Sequence, residues 1–243
     1  PKDVQAPKVA VAKPEEERLS FAKKYKLSCT VSTTGSLTFI DPNDQQVRSG
    51  KPRINLGCSA RCNKKLSGSI ALVRYFDSRQ QAAWDPDFTF AITYKATDKI
   101  TLNYSNYSAR FQGVGNSFVK SLFDGTLRAS YKFDPIDLPI IDKQARCSAS
   151  LRLPDPASSS ARLFCGVSLT DKLSVGTTLH AYAPDTQESF HPDFTYTATY
   201  KISDLWNVTY SNYGNNRFPW NKSPSPGRGI LGGSITVSYK IKF

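Results

Sequence analysis

The stretch Ile235-Thr236-Val237-Ser238-Tyr239-Lys240-Ile241-Lys242-Phe243 decides the fold. In an extended strand, successive side chains point to opposite faces. Ile235, Val237, Tyr239, Ile241 and Phe243 therefore share one face, and Thr236, Ser238, Lys240 and Lys242 share the other. One apolar and one cationic face, at period two, is the pattern of a strand that divides an apolar medium from a wet one.

The same period runs through the chain from Lys26 onward, and it runs twice. Phe88-Thr89-Phe90-Ala91-Ile92-Thr93-Tyr94-Lys95 returns as Phe194-Thr195-Tyr196-Thr197-Ala198-Thr199-Tyr200-Lys201, an offset of 194 − 88 = 106. Tyr104-Ser105-Asn106-Tyr107 returns at the same offset as Tyr210-Ser211-Asn212-Tyr213. Ser130-Tyr131-Lys132 matches Ser238-Tyr239-Lys240, Cys29 matches Cys147, and Cys58 matches Cys165. Self-similarity at a fixed offset is the mark of a tandem repeat.

Each repeat reads as six strands: 26–33, 53–61, 65–75, 88–97, 99–107 and 125–133, then 144–153, 162–170, 172–182, 194–203, 205–213 and 233–243. Strands near ten residues suit a tilted crossing of a hydrocarbon layer. Their connections alternate. Cys62-Asn63-Lys64, Thr97-Asp98, Thr170-Asp171 and Ser203-Asp204 are tight turns, and 134–143 is a longer linker between the repeats on the same side. The segments 34–52, 76–87, 108–124, 154–161, 183–193 and 214–232 are long and polar. The expected fold is an all-β, twelve-stranded antiparallel transmembrane β-barrel built from residues 26–133 and 144–243, preceded by a tail or short helix over 1–25.

The closing stretch, with its terminal Phe243, its Tyr239 and its alternation, resembles the last strand of bacterial outer-membrane β-barrels. Short turns on one side and long loops on the other are also the habit of such barrels. The resemblance implies that Tyr239, Ile241 and Phe243 are read by the barrel-assembly machinery, and that the termini and turns lie in the periplasm. It makes outer-membrane lipid a partner and leaves residues 1–25 as a contact for a protein partner. A plastid or mitochondrial outer membrane is the alternative location. In strand count and basic lining alone, the chain resembles small porins that conduct acidic oligosaccharides.

Composition agrees. A hydrophobic fraction of 39% and the lack of any long apolar run exclude transmembrane helices. The net charge of +12 comes from cations spread singly along strands, without a basic cluster, so nucleic acid is not the expected partner. Opposite the apolar positions lie Arg53, Arg61, Lys95, Arg128, Lys132, Arg146, Arg152, Arg162, Lys201 and Lys240, with hardly an acid among them. If these line a lumen, low-dielectric walls focus their potential and the channel prefers anions. Arg128 and Arg146 read as the most interior. The expected function is a pore for small or extended anionic solutes, with a non-conducting barrel that anchors an envelope assembly as the alternative.

Catalysis finds little support. His180 falls on the polar face where the first repeat has Val73, and His191 precedes Pro192 in a loop. Neither has an identifiable Ser and acid beside it, so no enzyme is expected. Cys58-x3-Cys62 lacks further ligands, and neither a metal nor another cofactor is expected. Cys29 with Cys58, and Cys147 with Cys165, sit on neighbouring strands where disulfides could form. All four share the apolar face, where small apolar residues belong, and the expectation favours unpaired, packing cysteines.

Overall fold

The computed structural model describes residues 21–36, 52–77, 81, 85–113, 116–153, 160–184, 186–188, 191–213, 216–221 and 232–242. Twelve strands form the wall: β1 (Ser28–Ser36), β2 (Arg53–Arg61), β3 (Leu66–Tyr75), β4 (Phe88–Lys95), β5 (Ile100–Ala109), β6 (Thr126–Lys132), β7 (Lys143–Leu153), β8 (Ser160–Ser168), β9 (Leu173–Tyr182), β10 (Phe194–Lys201), β11 (Trp206–Asn212) and β12 (Ser234–Ile241). Each pairs antiparallel with its sequence neighbours, and β12 pairs with β1 from Cys29↔Ile241 to Ser36↔Ser234. The sheet is thereby closed, without a free edge.

Strand residues follow from local chemistry. Val, Ile, Thr, Tyr and Phe fill the strands because branched and aromatic side chains pack on a pleated surface. The turns follow from one recurring device. Asn63 Oδ1 accepts from the Lys65 and Leu66 amides at 2.7 and 2.8 Å. Thr97 and Thr170 do the same, each accepting at 2.9 Å from the amide three residues on, and Ser203 accepts from Trp206 at 3.1 Å. A short polar side chain that caps its own turn stops one strand and starts the next. β1 begins two residues later than the periodicity suggests. Residues 21–24 are helical and Lys26 has φ 47°, so the chain turns there before it extends.

The register assigns the faces. Thr34 and Thr236 share a hydrogen bond at 2.9 Å, as do Thr199 and Thr209 at 3.1 Å and Asn103 and Thr93 at 2.9 Å, all on the inner side. The outer side carries Leu56, Ile70, Leu72 and Ile92, which are 43–48% exposed. Apolar outside and polar inside inverts the order of a water-soluble protein, and a continuous exposed apolar surface of this kind needs an apolar solvent. Tyr94, Tyr131, Tyr200 and Trp206 ring that surface near the turns, where amphipathic rings meet a membrane interface. Strands of 7 to 11 residues supply ~23–36 Å of chain at ~3.3 Å per residue, enough to span the layer when tilted. Among the described residues no helix is long and apolar enough to cross a membrane.

The cysteine expectation is overturned. Cys29 lies directly opposite Cys58 and Cys147 opposite Cys165, with Cα atoms 4.0 and 4.1 Å apart, and both pairs are disulfides. Neighbouring strands alone did not imply this, because disulfide geometry needs opposed positions as well. The register supplies them. Cys62, in the first turn, is free and exposed.

The loops after β5 and β11 fold outward onto the wall. A six-residue helix, α1 (Phe118–Phe123), begins at Ser117, whose side chain accepts from the Lys120 amide at 3.1 Å. Beneath it Phe88, Phe90 and Ala109 form a small buried core outside the barrel, with Phe111 stacked on Phe88 at 4.8 Å and Phe118 tilted against it at 5.4 Å. Phe194 meets Phe218 at 5.3 Å in the second half, and Phe218 stacks on Trp220 at 4.7 Å. Aromatic clusters thus sit on the loop side of the outer wall in both halves.

Candidate functional site

Two cavities lie against the inner wall between β5 and β10. One, of about 930 Å³, is on the loop side and the other, of about 860 Å³, on the turn side. Their walls come from the same inward parity of each strand.

The loop-side cavity is built on two adjacent ranks of the sheet. Arg128 of β6 is the register partner of Arg152 of β7. In the next rank Arg162 of β8 pairs with His180 of β9. All four side chains line the cavity. Arg128 Nη1 donates to the Ser160 carbonyl at 3.3 Å, and His180 Nε2 meets Thr195 Oγ1 at 3.2 Å. Among the described residues none of the three arginines is in an ion pair. Tyr182 closes one side, stacked on His191 at 5.0 Å with the rings 8° apart. His191 accepts from the Glu188 amide through Nδ1 at 3.1 Å, which holds the loop over the cavity.

The turn-side cavity contains Arg146, so the structure separates the two arginines that periodicity read together. The linker adds to its lining with Asp137, Leu138 and Pro139, where Ile136–Leu138 pairs with the start of β7. Phe164 is a residue that pattern reading missed. It lies at inward parity and is 41% exposed, against Gly166 and Gly176, which face each other across β8 and β9. A Cβ on either glycine would come within 2.9 Å of the ring, so both must stay bare for Phe164 to lie flat. The signal was an aromatic at polar-face parity two residues before a glycine.

The other cations lie at the rims. Lys95 and Lys201 reach back to the turns and pair with Asp98 at 2.8 Å and Asp204 at 2.7 Å. Those lysines hold both carboxyls below the usual carboxylate range. Lys99, bonded to Asp134 at 2.7 Å, is raised above the usual lysine value. Lys132 and Lys240 are exposed at the turn side. Arg53 is on the loop-side rim opposite Tyr75, and the Arg61 amide at the far end donates to the Tyr25 carbonyl at 2.7 Å. Tyr239 packs on Trp206 at 4.9 Å and Ile241 faces Cys29, while Phe243 lies outside the described residues. Residues 1–20 of the tail do too.

Pattern reading also missed a repeated clasp at the loop-side rim. Asp193 is 4% exposed, and it accepts from Gln187 at 2.7 Å, Asn221 at 2.8 Å, Arg217 at 3.2 Å and the Phe218 amide at 2.8 Å. Asp87 is held alike by Gln81 at 2.8 Å, the Phe111 amide at 3.0 Å and Arg110 at 3.6 Å. Each clasp ties the loop before a repeat's fourth strand to the loop after its fifth. Burial raises the Asp193 carboxyl, but the donors around it outweigh burial and hold it below the usual range. The signal was in the repeat, since Gln81 and Asp87 recur at 106 and Arg110-Phe111 at 107.

No protein-family model matches the chain, and no curated protein matches it. Among solved structures it is similar to the outer membrane protein Omp33 of Acinetobacter baumannii, at 9% identity over 90% of this chain and 98% of that one, with a TM-score of 0.38. A structure described under "asymmetric conductivity of engineered proteins" is similar at 10% identity, over 88% and 99%, with a TM-score of 0.38. The translocator domain of the autotransporter NalP from Neisseria meningitidis is similar at 10%, over 94% and 96%, with a TM-score of 0.27. Likenesses at these scores say nothing about what this chain binds or conducts.

Proposed function

We propose that the barrel is a passive pore of the bacterial outer membrane that prefers small or extended anionic solutes. The observation that carries the reading is the loop-side cavity, where Arg128, Arg152 and Arg162 stand together and no carboxylate among the described residues pairs with them. Cations in a wet cavity with low-dielectric walls attract anions and repel cations along the whole path. A chain that serves only as an anchor has no use for such a wall.

Two further features support the location. Aromatic residues at both rims match the two interfaces of a bilayer, and two disulfides suit an oxidising compartment. Tyr239, Ile241 and Phe243 then serve as the face that the assembly machinery reads, and residues 1–25 as the contact for a protein partner. We assign the cavity a conducting role and no catalytic one.

Reconstitution into planar bilayers tests the pore. In a salt gradient the reversal potential should show anion preference. That preference should weaken as salt rises, because the screening length falls from about 10 Å at 0.1 M to about 3 Å at 1 M. Insertion without conductance, or cation preference, sinks the reading.

A further inference from the structure

The two halves of the barrel supply a comparison within one molecule. Their registers correspond, pair for pair. Thr34↔Thr236 occupies the place of Arg152↔Arg128, and Asn55↔Val73 the place of Arg162↔His180. The disulfides fix the alignment, since Cys29↔Cys58 corresponds to Cys147↔Cys165. The same stretch of wall is therefore built once with two threonines, an asparagine and a valine, and once with three arginines and a histidine. Curvature, strand pairing and closure need none of those charges.

Three guanidiniums side by side repel one another, and here the one described carboxylate that lines the same cavity, Glu188, is in no ion pair with them. Arg128 spends one donor on the Ser160 carbonyl. Each guanidinium carries five donors in a rigid fork suited to a tetrahedral oxyanion. We propose that Arg128, Arg152 and Arg162 form a saturable site for a doubly charged tetrahedral oxyanion, the phosphate group of a soluble phosphate or phosphate ester. A dianion answers three fixed cations better than a chloride or a carboxylate, because both charge and fork geometry are then met. The stacked pair Tyr182 and His191 borders the same cavity and leaves room for an organic part beside the phosphate. The site rests on the pore reading in one respect only, that solute reaches the cavity.

The test is calorimetric titration of the folded barrel with inorganic phosphate, in a maltoside detergent that contains no phosphorus. One saturable site is expected, at least about tenfold tighter for phosphate than for acetate. A variant carrying Arg128→Thr, Arg152→Thr and Arg162→Asn takes the residues that the corresponding wall already uses. It should keep the fold and lose at least about tenfold in phosphate affinity. Should it fail to fold, Arg162→Asn alone, whose parent side chain is exposed in the cavity, should still weaken binding about threefold or more. Phosphate that binds no tighter than acetate, or variants that bind like the parent, overturn the proposal. A barrel that conducts anions without saturable binding refutes the site and spares the pore, and one that binds phosphate without conducting does the reverse.

Discussion

Cys29 and Cys58 meet because β1 and β2 are in a register that sets them face to face on the outer wall, and Cys147 and Cys165 repeat the arrangement. Each crosslink removes freedom from the unfolded chain, worth about 3 kcal/mol for loops of this size. They staple the first two strands of each half, where each half begins to assemble. Of five cysteines, four are then oxidised and Cys62 alone is free. Thiol titration of the denatured chain should therefore find one thiol without reductant and five with it. Three or five without reductant would show that one or both pairs are open.

Loops are the element at which stability and access meet. The Asp193 clasp joins the loop over the cavity to the loop on the outer wall, so the two cannot move apart separately. Asp193→Ala removes the acceptor shared by Gln187, Asn221, Arg217 and the Phe218 amide, a local cost of about 1–3 kcal/mol. Hydrogen exchange should show the Phe218 amide losing protection in that variant while the strand amides of β10 keep theirs. Because the folded Asp193 carboxyl is depressed, its contribution is complete above the unfolded value near 3.9 and fades as pH falls through the lower, folded value. The parent should thus keep Phe218 protected at pH 5 and lose that protection progressively below about pH 3.9. Equal protection in parent and variant at neutral pH would mean the clasp holds nothing.

At the scale of the molecule, closure is the decisive event. Six strands leave two unpaired edges, and an unpaired backbone group in hydrocarbon costs several kcal/mol. Expressed separately, residues 26–133 and 144–243 should each fail to give the compact, heat-modifiable band of a folded barrel on SDS gels, whereas the whole chain gives it. A folded band from either half alone would mean the halves close independently, and the single barrel would be the wrong unit. The same closure creates the site, because Arg128 and Arg152 belong to different halves and meet only where β6 pairs with β7.

Alternation is a local property, and everything that depends on it was legible in the sequence. The twelve strands, their two faces and the alternation of short and long connections follow from which residues sit at i and i+2 and where that pattern breaks. Ile235 to Ile241 shows the reason, since an apolar residue at every second place can satisfy only a strand with two different surroundings. What needed the tertiary structure depends on residues far apart in the chain. The partner of each cysteine, the cavity that joins Arg128, Arg152 and Arg162 while leaving Arg146 elsewhere, the flat bed of Phe164 and the two Asp clasps are set by cross-strand register and loop packing. A shift of one residue in pairing would exchange the faces of a strand relative to its neighbour. Periodicity within a strand determines which side a residue takes, and only the closed ring determines whom it meets there.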